Sequence, residues 1–223
     1  IQFCEKYCQY VDEGYTDVIH VPINRSGSST YNNAVMAQGM LREERPEHHL
    51  NIHLLDPHTY SMVFGWYLCE MARKLQNGAE LRHVISEFET QMNKMEVILG
   101  PYSLKQMKKS GRISAAAAVM GELMGIRPII TLIDGKTRVE SKVRGDDKVI
   151  PAMIDLCKKR TEGVEDFDYM IGHTSIPQAA ELEKACRKAF GKAPLTTFNL
   201  GGVVSANTGP DTLALVYVGK ARD

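Results

Sequence analysis

Apolar residues in the first part of the chain follow two spacings in turn, and these predict helices and strands. Residues 1–11 carry apolar side chains at helical spacing, and TDVIHVPI, rich in β-branched residues, predicts a buried strand. Helical spacing returns over residues 31–40, LNIHLLD predicts the next strand, and residues 57–95 predict two consecutive helices. This order predicts parallel βαβ units, whose ligands bind at the carboxyl ends of the strands.

The second part of the chain mixes hairpin and crossover signals. EVILG predicts a short strand, and PIITLIDGKTRVESKV predicts two strands joined at Asp134-Gly135, which is a strong hairpin signal. Helices and strands then alternate up to the last strand, TLALVYVG, and SANTGPDT predicts a turn just before it. A mixed sheet is therefore predicted for this part.

The predicted fold class is α/β with two lobes. Residues 1–90 form a parallel βαβ N-terminal lobe, and residues 91–223 form a C-terminal α/β lobe with a mixed sheet. No low-complexity linker marks the boundary, which is predicted to within about ten residues from pattern alone.

Composition and charge narrow the classes of function. Acidic and basic side chains both number 27, so the formal charge is zero and no nucleic-acid footprint is expected. No apolar run approaches the roughly 20 residues that span a bilayer, so no stable membrane insertion is expected. The five cysteines are widely spaced, which is typical of reduced thiols in a cytosolic protein, and a cytoplasmic location is expected.

Neither the cysteines nor the histidines predict a metal site. Cys4 and Cys8 lie one helical turn apart, but this spacing is a weak metal signature without further ligands downstream. Four histidines lie within residues 48–58, yet His53 falls inside a strand and His58 beyond its end, so their side chains are not expected to converge.

Residues 26–30, called the serine loop below, separate the first predicted strand from the next helix. Their sequence is Ser-Gly-Ser-Ser-Thr. The first N–H groups of a helix have no partner within it and carry partial positive charge, and hydroxyls add further donors. Ser28, Ser29 and Thr30 could therefore hold a carboxylate or phosphate. The alternative is that one serine caps the helix and the others fill the loop.

Nucleotide-binding and hydrolase signatures are absent from the sequence. The serine loop has neither the lysine of a Walker A motif nor the G-x-G-x-x-G of a Rossmann fold, and the chain has no G-x-S-x-G elbow. Arg112 lies in the Gly/Ser stretch SGRIS, where it could bind a carboxylate or be a surface arginine. His173 ends a predicted strand without an evident partner.

Four motifs occur along the chain in an order that resembles the DegV family of bacterial fatty-acid-binding proteins, which includes the carrier subunits of fatty acid kinase systems. They are, in order, PINRSGSSTYNNA, LLDPHTYSMVFG, the block from SLKQMKKSGRIS through IRPIITLIDGKTRVESKVRG, and ANTGPDT. The third is the most specific. The resemblance covers essentially the whole chain.

The resemblance implies a fold and a ligand. It implies a two-lobed α/β protein that encloses one long-chain fatty acid, with the carboxylate at the serine loop and the acyl chain in an apolar tunnel. Ser28 matches the family serine that binds the carboxylate, Thr30 the loop threonine, and Ser29 a position where Gly is usual. Arg112 matches the arginine of the Gly-Arg-Ile-Ser run, near the head group, and Asn207 occupies the usual His position.

The resemblance also implies a partner and a missing segment. Arg144 matches a basic position that resembles a docking contact for a fatty acid kinase. Asp211 replaces the last Gly of the motif that contains Asn207. The first residues match the helix that follows the family's N-terminal strand and Thr-Ser loop, so an N-terminal segment of the family pattern is expected to be missing.

Three functions remain open at this point. The first is a non-catalytic carrier that presents a fatty acid to a kinase for acyl-phosphate formation, with no cofactor other than the bound lipid. The second is an enzyme, a phosphotransferase or hydrolase that uses Ser28 with His173. The third is a lipid carrier that works without a kinase.

Overall fold

Helices and strands alternate through most of the chain in the computed structural model, which describes residues 1–111 and 125–221. The described helices are α1 (Gln2–Asp12), α2 (Thr30–Glu44), α3 (Met62–Gln76), α4 (Leu81–Met92), α5 (Lys105–Ser110), α6 (Val149–Arg160), α7 (Gln178–Phe190) and α8 (Gly202–Thr208). The described strands are β1 (Asp17–His20), β2 (Asn51–Leu54), β3 (Met95–Pro101), β4 (Ile126–Ile133), β5 (Lys136–Arg144), β6 (Tyr169–His173), β7 (Thr197–Asn199) and β8 (Thr212–Val218).

The strands form two sheets. β1 and β2 pair in parallel across the α2 crossover, which confirms the predicted βαβ unit. The other six strands form a mixed sheet in the order β5-β4-β3-β8-β6-β7, in which β6 and β7 are parallel and the remaining pairs are antiparallel. The predicted α/β class with a mixed second sheet is confirmed.

The hairpin between β4 and β5 also agrees with its sequence signal. Asp134 and Gly135 lie between the two strands with φ of 49° and 70°. Two consecutive positive φ values are what a two-residue turn of type I′ requires, and Asp-Gly accepts them at low cost. The turn at Asp134-Gly135 is therefore set by local sequence.

The six-stranded sheet is covered on both faces. Successive residues of a strand point to opposite faces, so Val97 and Leu99 pack with α3 and α4, whereas Ile98 packs with α6 and α7. β8 shows the same alternation between Val216 and Leu215. Burial on both faces explains why these central strands are almost continuously apolar.

The small sheet has its own apolar cluster. Residues of α1 and α2 form it together with Leu50, and the most deeply buried members are Cys4, Tyr7, Ala37 and Leu41. The division of the chain near residue 90 stays a prediction. α3 and α4 precede residue 95 in sequence, yet they bury their apolar residues in one cluster with the larger sheet.

One stretch differs from its predicted structure. SANTGPDT was expected to be a turn, but its first four residues complete α8. The Asn207 side chain donates to the Val203 carbonyl oxygen at 2.8 Å, and the Thr208 hydroxyl donates to that of Val204 at 3.2 Å. Gln106 of α5 also donates to the Ala206 carbonyl oxygen, so side chains and a neighbouring helix stabilise a turn of helix that the local sequence disfavours.

Across the part of the chain that the structure describes, helices are too short or too polar to cross a lipid bilayer.

Candidate anion-binding site

The serine loop lies between the end of β1 and the start of α2, where the sequence predicted it. α2 begins at Thr30 with Ser29 as its N-cap, so the loop stands at the carboxyl end of a parallel strand and at the positive end of a helix. Gly27 is held against Tyr60, and a Cβ at Gly27 would come within 1.8 Å of the Tyr60 hydroxyl. Only glycine fits there without movement of Tyr60.

Hydrogen bonds within the loop orient its hydroxyl groups. The Ser28 and Thr30 hydroxyl oxygens lie 2.7 Å apart, and the Thr30 N–H donates to the Ser28 hydroxyl at 3.2 Å. The Ser29 side chain is exposed and, within the described residues, accepts no capping hydrogen bond from the first turn of α2. Ser28 therefore takes part in a local cap, and the Ser29 hydroxyl remains directed to solvent at the helix start.

The buried Asn24 side chain holds the serine loop through hydrogen bonds. It is 1% exposed, and its amide donates to the Tyr60 hydroxyl at 3.0 Å and to the Ser26 hydroxyl at 3.2 Å. The Asn24 side-chain oxygen accepts from the Ser26 backbone N–H at 3.2 Å, and the Asn24 backbone N–H donates to the Thr59 carbonyl oxygen at 3.1 Å. A buried amide with this many partners fixes the loop conformation.

The serine loop also contacts the turn of the β4–β5 hairpin. The Ser26 hydroxyl donates to the Asp134 carbonyl oxygen at 3.3 Å. A Cβ at Gly135 would lie 1.4 Å from the Asn24 amide nitrogen, so the hairpin backbone and this side chain are in direct contact. The loop is thus held by both sheets of the molecule.

An open cleft of about 520 Å³ lies on the outer side of the loop. It is lined by Arg25, Ser26, Gly27, Ser28, Ser29 and Asn32. The Arg25 guanidinium lies over the Tyr31 ring, 5.2 Å from its centroid. The Arg25 backbone N–H donates to the Asp56 carboxylate at 3.3 Å. Hydroxyl donors, one cation and a helix start on a single concave surface favour a small anion such as a carboxylate.

The structure brings together only part of the predicted site. Ser28, Ser29 and Thr30 are adjacent in the serine loop, whereas Arg112 lies outside the described residues. Asn207 bonds to its own helix through its side chain, and its carbonyl oxygen accepts from Ser110 at 3.1 Å. The placement of Asn207 at a head group stays a prediction.

Arg144 lies apart from the serine loop in the sheet. It is the last residue of β5, opposite Ile126, and its side chain is exposed. Gly145 follows it with φ of 96°, a conformation that glycine accepts readily. An exposed arginine at a strand end is accessible to a partner protein, and its docking role stays a prediction.

Ser28 and His173 form their hydrogen bonds with different residues, Thr30 and Ser175. Ser28 shares its hydroxyl with Thr30, and the His173 Nδ1 accepts from the Ser175 N–H at 2.9 Å. A serine nucleophile is activated when its hydroxyl hydrogen-bonds a base. The hydrogen bond of Ser28 to Thr30 does not supply one.

A pair formed by the buried Tyr7 and the half-buried His20 lies at the end of β1. The Tyr7 hydroxyl lies 2.5 Å from the His20 Nδ1, and the Phe3 ring packs edge-on to the imidazole with centroids 4.8 Å apart. Burial lowers the pKa of His20 and raises the pKa of Tyr7 to about 12. Burial favours the neutral imidazole, whose Nδ1 accepts the Tyr7 hydroxyl in the tautomer that carries its proton on Nε2.

Sequence reasoning missed Arg25, Asn24 and Tyr60. Arg25 adjoins the serine loop and could have been found as the nearest cation. Asn24 and Tyr60 gave no signal, because their roles depend on contacts across 36 residues and on the hairpin turn.

Comparison with known proteins places this architecture in a family. The family model of DegV, described as uncharacterised proteins, matches residues 1–220. The chain belongs to the DegV family. A DegV domain-containing protein of Clostridium acetobutylicum is 27% identical over 217 residues, which cover 96% of this chain and 75% of the relative.

Solved structures of other proteins share the fold. A stearic-acid-binding protein from Eubacterium ventriosum superposes with a TM-score of 0.86 at 20% identity, covering 98% of this chain and 75% of the other. A fatty-acid-binding DegV protein from Streptococcus agalactiae superposes with a TM-score of 0.83 at 26% identity, covering 98% and 76%. The expected resemblance to DegV proteins is confirmed.

Proposed function

We propose that this chain binds one long-chain fatty acid between an N-terminal lobe, residues 1–90, and a C-terminal lobe, residues 91–223. The carboxylate lies at the serine loop. The observation that carries the proposal is the cleft at the start of α2, where hydroxyl groups and Arg25 line a concave surface. The hydroxyls of Ser28, Ser29 and Thr30 hold the carboxylate, and Arg25 adds positive charge beside it.

The relatives support the chemical class of the ligand. The Streptococcus agalactiae protein, 26% identical to this chain, is described as fatty acid binding, and the Eubacterium ventriosum protein is described as binding stearic acid. A polar cleft alone would suit phosphate equally well. The family membership favours a carboxylate that carries an acyl chain.

The two ends of such a ligand contribute differently to affinity. Burial of an acyl chain stabilises the complex by about 0.8 kcal/mol per CH₂, so some sixteen carbons supply roughly 12 kcal/mol before ordering costs. Each charge-assisted hydrogen bond to the carboxylate adds about 1.5–3 kcal/mol. The tail therefore supplies most of the affinity, and the serine loop fixes the orientation. The proposal includes Arg112 and Asn207, which the sequence predicts to contact the carboxylate head group.

Removal of the Ser28 hydroxyl tests whether the carboxylate binds at the serine loop. The delipidated protein is reloaded with a C16 fatty acid, and the bound mass is measured by native mass spectrometry. Ser28→Ala is expected to weaken the complex by about 10- to 100-fold through loss of one charge-assisted bond. Ser86→Ala, at an exposed position of α4, is the control. Equal loading of the two variants would remove Ser28 from the site, and failure of the parent protein to bind any C14–C18 acid would overturn the proposal.

A further step of the proposal is that the protein presents the carboxylate to a fatty acid kinase and is not itself an enzyme. Arg144, exposed at the end of β5, is the proposed docking contact. With a candidate kinase and ATP, Arg144→Glu should reduce acyl-phosphate formation while fatty acid binding is retained. Arg138→Glu, exposed on the same strand, is the matched control. Binding without any acyl-phosphate would indicate a carrier that works without a kinase, and turnover by the protein alone, abolished by His173→Ala, would indicate an enzyme.

A further inference from the structure

Cys4, Cys8 and Glu44 converge between α1 and α2. The Cys4 sulfur lies 3.6 Å from the Glu44 Oε1, and the Cys8 sulfur lies 3.5 Å from the Glu44 Oε2. All three donor atoms lie within 4.8 Å of one another. Throughout residues 1–111 and 125–221, no other group of three or more Cys, His, Asp or Glu donors converges this closely.

The spacing of the two cysteines follows from helix geometry. Residues four apart on a helix lie on the same face, so both thiols of α1 point toward α2. Glu44 is the last residue of α2, and it brings a carboxylate to them from a different helix. Arg45, the next residue, lies 3.7 Å from Asp12 at the end of α1, so a second contact holds the two helices at this distance.

These separations match the edges of a tetrahedral metal site. With Zn–S near 2.3 Å and Zn–O near 2.0–2.2 Å, a tetrahedral angle places sulfur and oxygen about 3.6 Å apart. Each thiol sulfur already lies at about this distance from one oxygen of the same carboxylate, Cys4 from Glu44 Oε1 and Cys8 from Glu44 Oε2. Because all three donor atoms lie within 4.8 Å of one another, a cation between them requires only a closer approach of the three side chains.

The charges and burial of the Cys4, Cys8 and Glu44 side chains suit a bound cation. Cys4 is 2% exposed and Cys8 is 8% exposed, while Glu44 is exposed and leaves the cluster open to solvent on one side. Burial, together with the neighbouring Cys8 and Glu44, raises the pKa of Cys4 to about 11. A divalent cation that replaces the thiol protons offsets the negative charge that gathers between these three side chains.

We propose that Cys4, Cys8 and Glu44 bind one Zn²⁺ ion or a cation of the same soft, divalent class. Two thiolates and one carboxylate supply three ligands, and solvent at the open side supplies the fourth. The two thiol protons pass to solvent on binding, and no oxidation or reduction is involved. Thiolate ligands select this class over Mg²⁺ and Ca²⁺, which prefer all-oxygen sites. The site joins α1 to α2 and is independent of the fatty acid proposal.

Cadmium is the probe for the first test, because its bonds to thiolate absorb in the near ultraviolet. The full chain, kept reduced with a phosphine that does not compete for metal, is titrated with Cd²⁺. We expect one equivalent to bind with the absorption of two Cd–S bonds, and Zn²⁺ but not Mg²⁺ to abolish it. Because two protons leave, the affinity should rise by up to about 100-fold per pH unit below the thiol pKa values. Absence of a thiolate band at one equivalent would overturn the proposal.

Four substitutions assign the ligands. Cys8→Ser should halve the absorption per bound ion and weaken binding by at least about tenfold, and Glu44→Gln should weaken it similarly while both Cd–S bonds remain. Cys69→Ser, at an exposed thiol of α3, and Glu43→Gln, on the turn beside Glu44, should bind as the parent does. Glu44 is exposed, so its variant folds even where Cys8→Ser does not. Equal Cd²⁺ affinity of Glu44→Gln and Glu43→Gln would exclude the carboxylate ligand and overturn the three-ligand site.

Discussion

The Ser26 hydroxyl donates a hydrogen bond to the backbone carbonyl oxygen of Asp134 at 3.3 Å, across 108 residues of sequence. The serine loop follows a strand of the small sheet, whereas Asp134 forms the turn of a hairpin in the large sheet. A displacement of either sheet would therefore reposition the hydroxyls that line the cleft. The geometry of the candidate site depends on the packing of the whole molecule.

Loss of the buried Asn24 amide should destabilise the protein. Asn24→Ala removes the hydrogen bonds to Tyr60 and Ser26 and leaves the Tyr60 hydroxyl without that partner. We expect the free energy of unfolding to fall by about 1–3 kcal/mol, measured by urea denaturation. Asn33→Ala, exposed on α2, is the control and should change it by less than about 0.5 kcal/mol. Similar effects of the two variants would show that the Asn24 bonds are not structural.

Two glycines near each other in sequence should respond to alanine in opposite directions. At Gly27 a Cβ would lie 1.8 Å from the Tyr60 hydroxyl, so Gly27→Ala forces Tyr60 out of place and should cost about 1–3 kcal/mol. At Gly39, inside α2, a Cβ meets no atom within 4 Å among the described residues. Gly39→Ala should therefore stabilise the protein by about 0.5–1 kcal/mol through helix propensity. Urea denaturation measures both, and changes of the same sign would contradict the close packing of Gly27.

Arg25 should contribute a modest, salt-dependent part of carboxylate affinity. It is exposed beside the cleft, and an exposed ion pair is worth about 0.2–1 kcal/mol, so Arg25→Gln should weaken fatty acid binding by about 1.5- to 5-fold. The difference should shrink in high salt and vanish for the corresponding fatty alcohol. Arg42→Gln, exposed further along α2, is the control for calorimetric titration. An equal loss of alcohol binding would show that Arg25 acts through packing and not through charge.

Features that depend on local sequence could be predicted, and those that depend on distant contacts could not. The Asp134-Gly135 hairpin and the β1–α2–β2 unit follow from turn chemistry and hydrophobic spacing. SANTGPDT was wrongly predicted as a turn throughout, because its helical part is stabilised by Gln106 and Ser110 of α5. Small polar residues alone give no indication of such a neighbour.

The candidate site shows the same limit. The serine loop could be recognised because a strand, small polar residues and a helix follow one another in sequence. The contribution of Asn24 could not, because its partners come from the stretch before α3 and from the hairpin turn. Glu44 likewise gave no signal, since 36 residues separate it from Cys8. Long-range side-chain contacts leave no periodic trace in one sequence.

A buried ion pair links β3 to the end of α6 and should be costly to break. Glu96 is 6% exposed, accepts from two nitrogens of Arg160, and also accepts from the Tyr217 hydroxyl at 2.6 Å. The Glu96 carboxylate raises the pKa of Arg160. Arg160→Met leaves a buried carboxylate without its cation and should lower the free energy of unfolding by about 3–5 kcal/mol, measured by urea denaturation.

An exposed pair of the same type is the control for this substitution. Arg187 bonds Glu183 through Nε and Nη2 at 3.0 and 2.8 Å on the surface of α7, so Arg187→Met should cost less than about 1 kcal/mol. In a Glu96→Gln background, Arg160→Met should cost much less than in the parent, because no buried charge is left unpaired. Additive effects in this double-mutant cycle would contradict the coupling of Glu96 to Arg160.

His20 should make the protein less stable in acid. Burial lowers the pKa of His20 in the folded chain, so below about pH 6.5 the unfolded chain takes up a proton that the folded chain resists. This contribution is present above the unfolded pKa and is lost as the pH falls, at no more than about 1.4 kcal/mol per pH unit. His20→Gln should flatten the fall in unfolding free energy between pH 7.5 and 5, measured by urea denaturation, whereas His83→Gln, at an exposed position, should not. Tyr7→Phe removes the hydroxyl that lies 2.5 Å from the His20 Nδ1, and a donor at that atom stabilises the neutral imidazole. Its loss should bring the folded pKa of His20 closer to the unfolded value, so the acid-induced loss of stability should become smaller. A pH dependence identical to that of the parent in both His20→Gln and Tyr7→Phe would show that this pair does not titrate with folding.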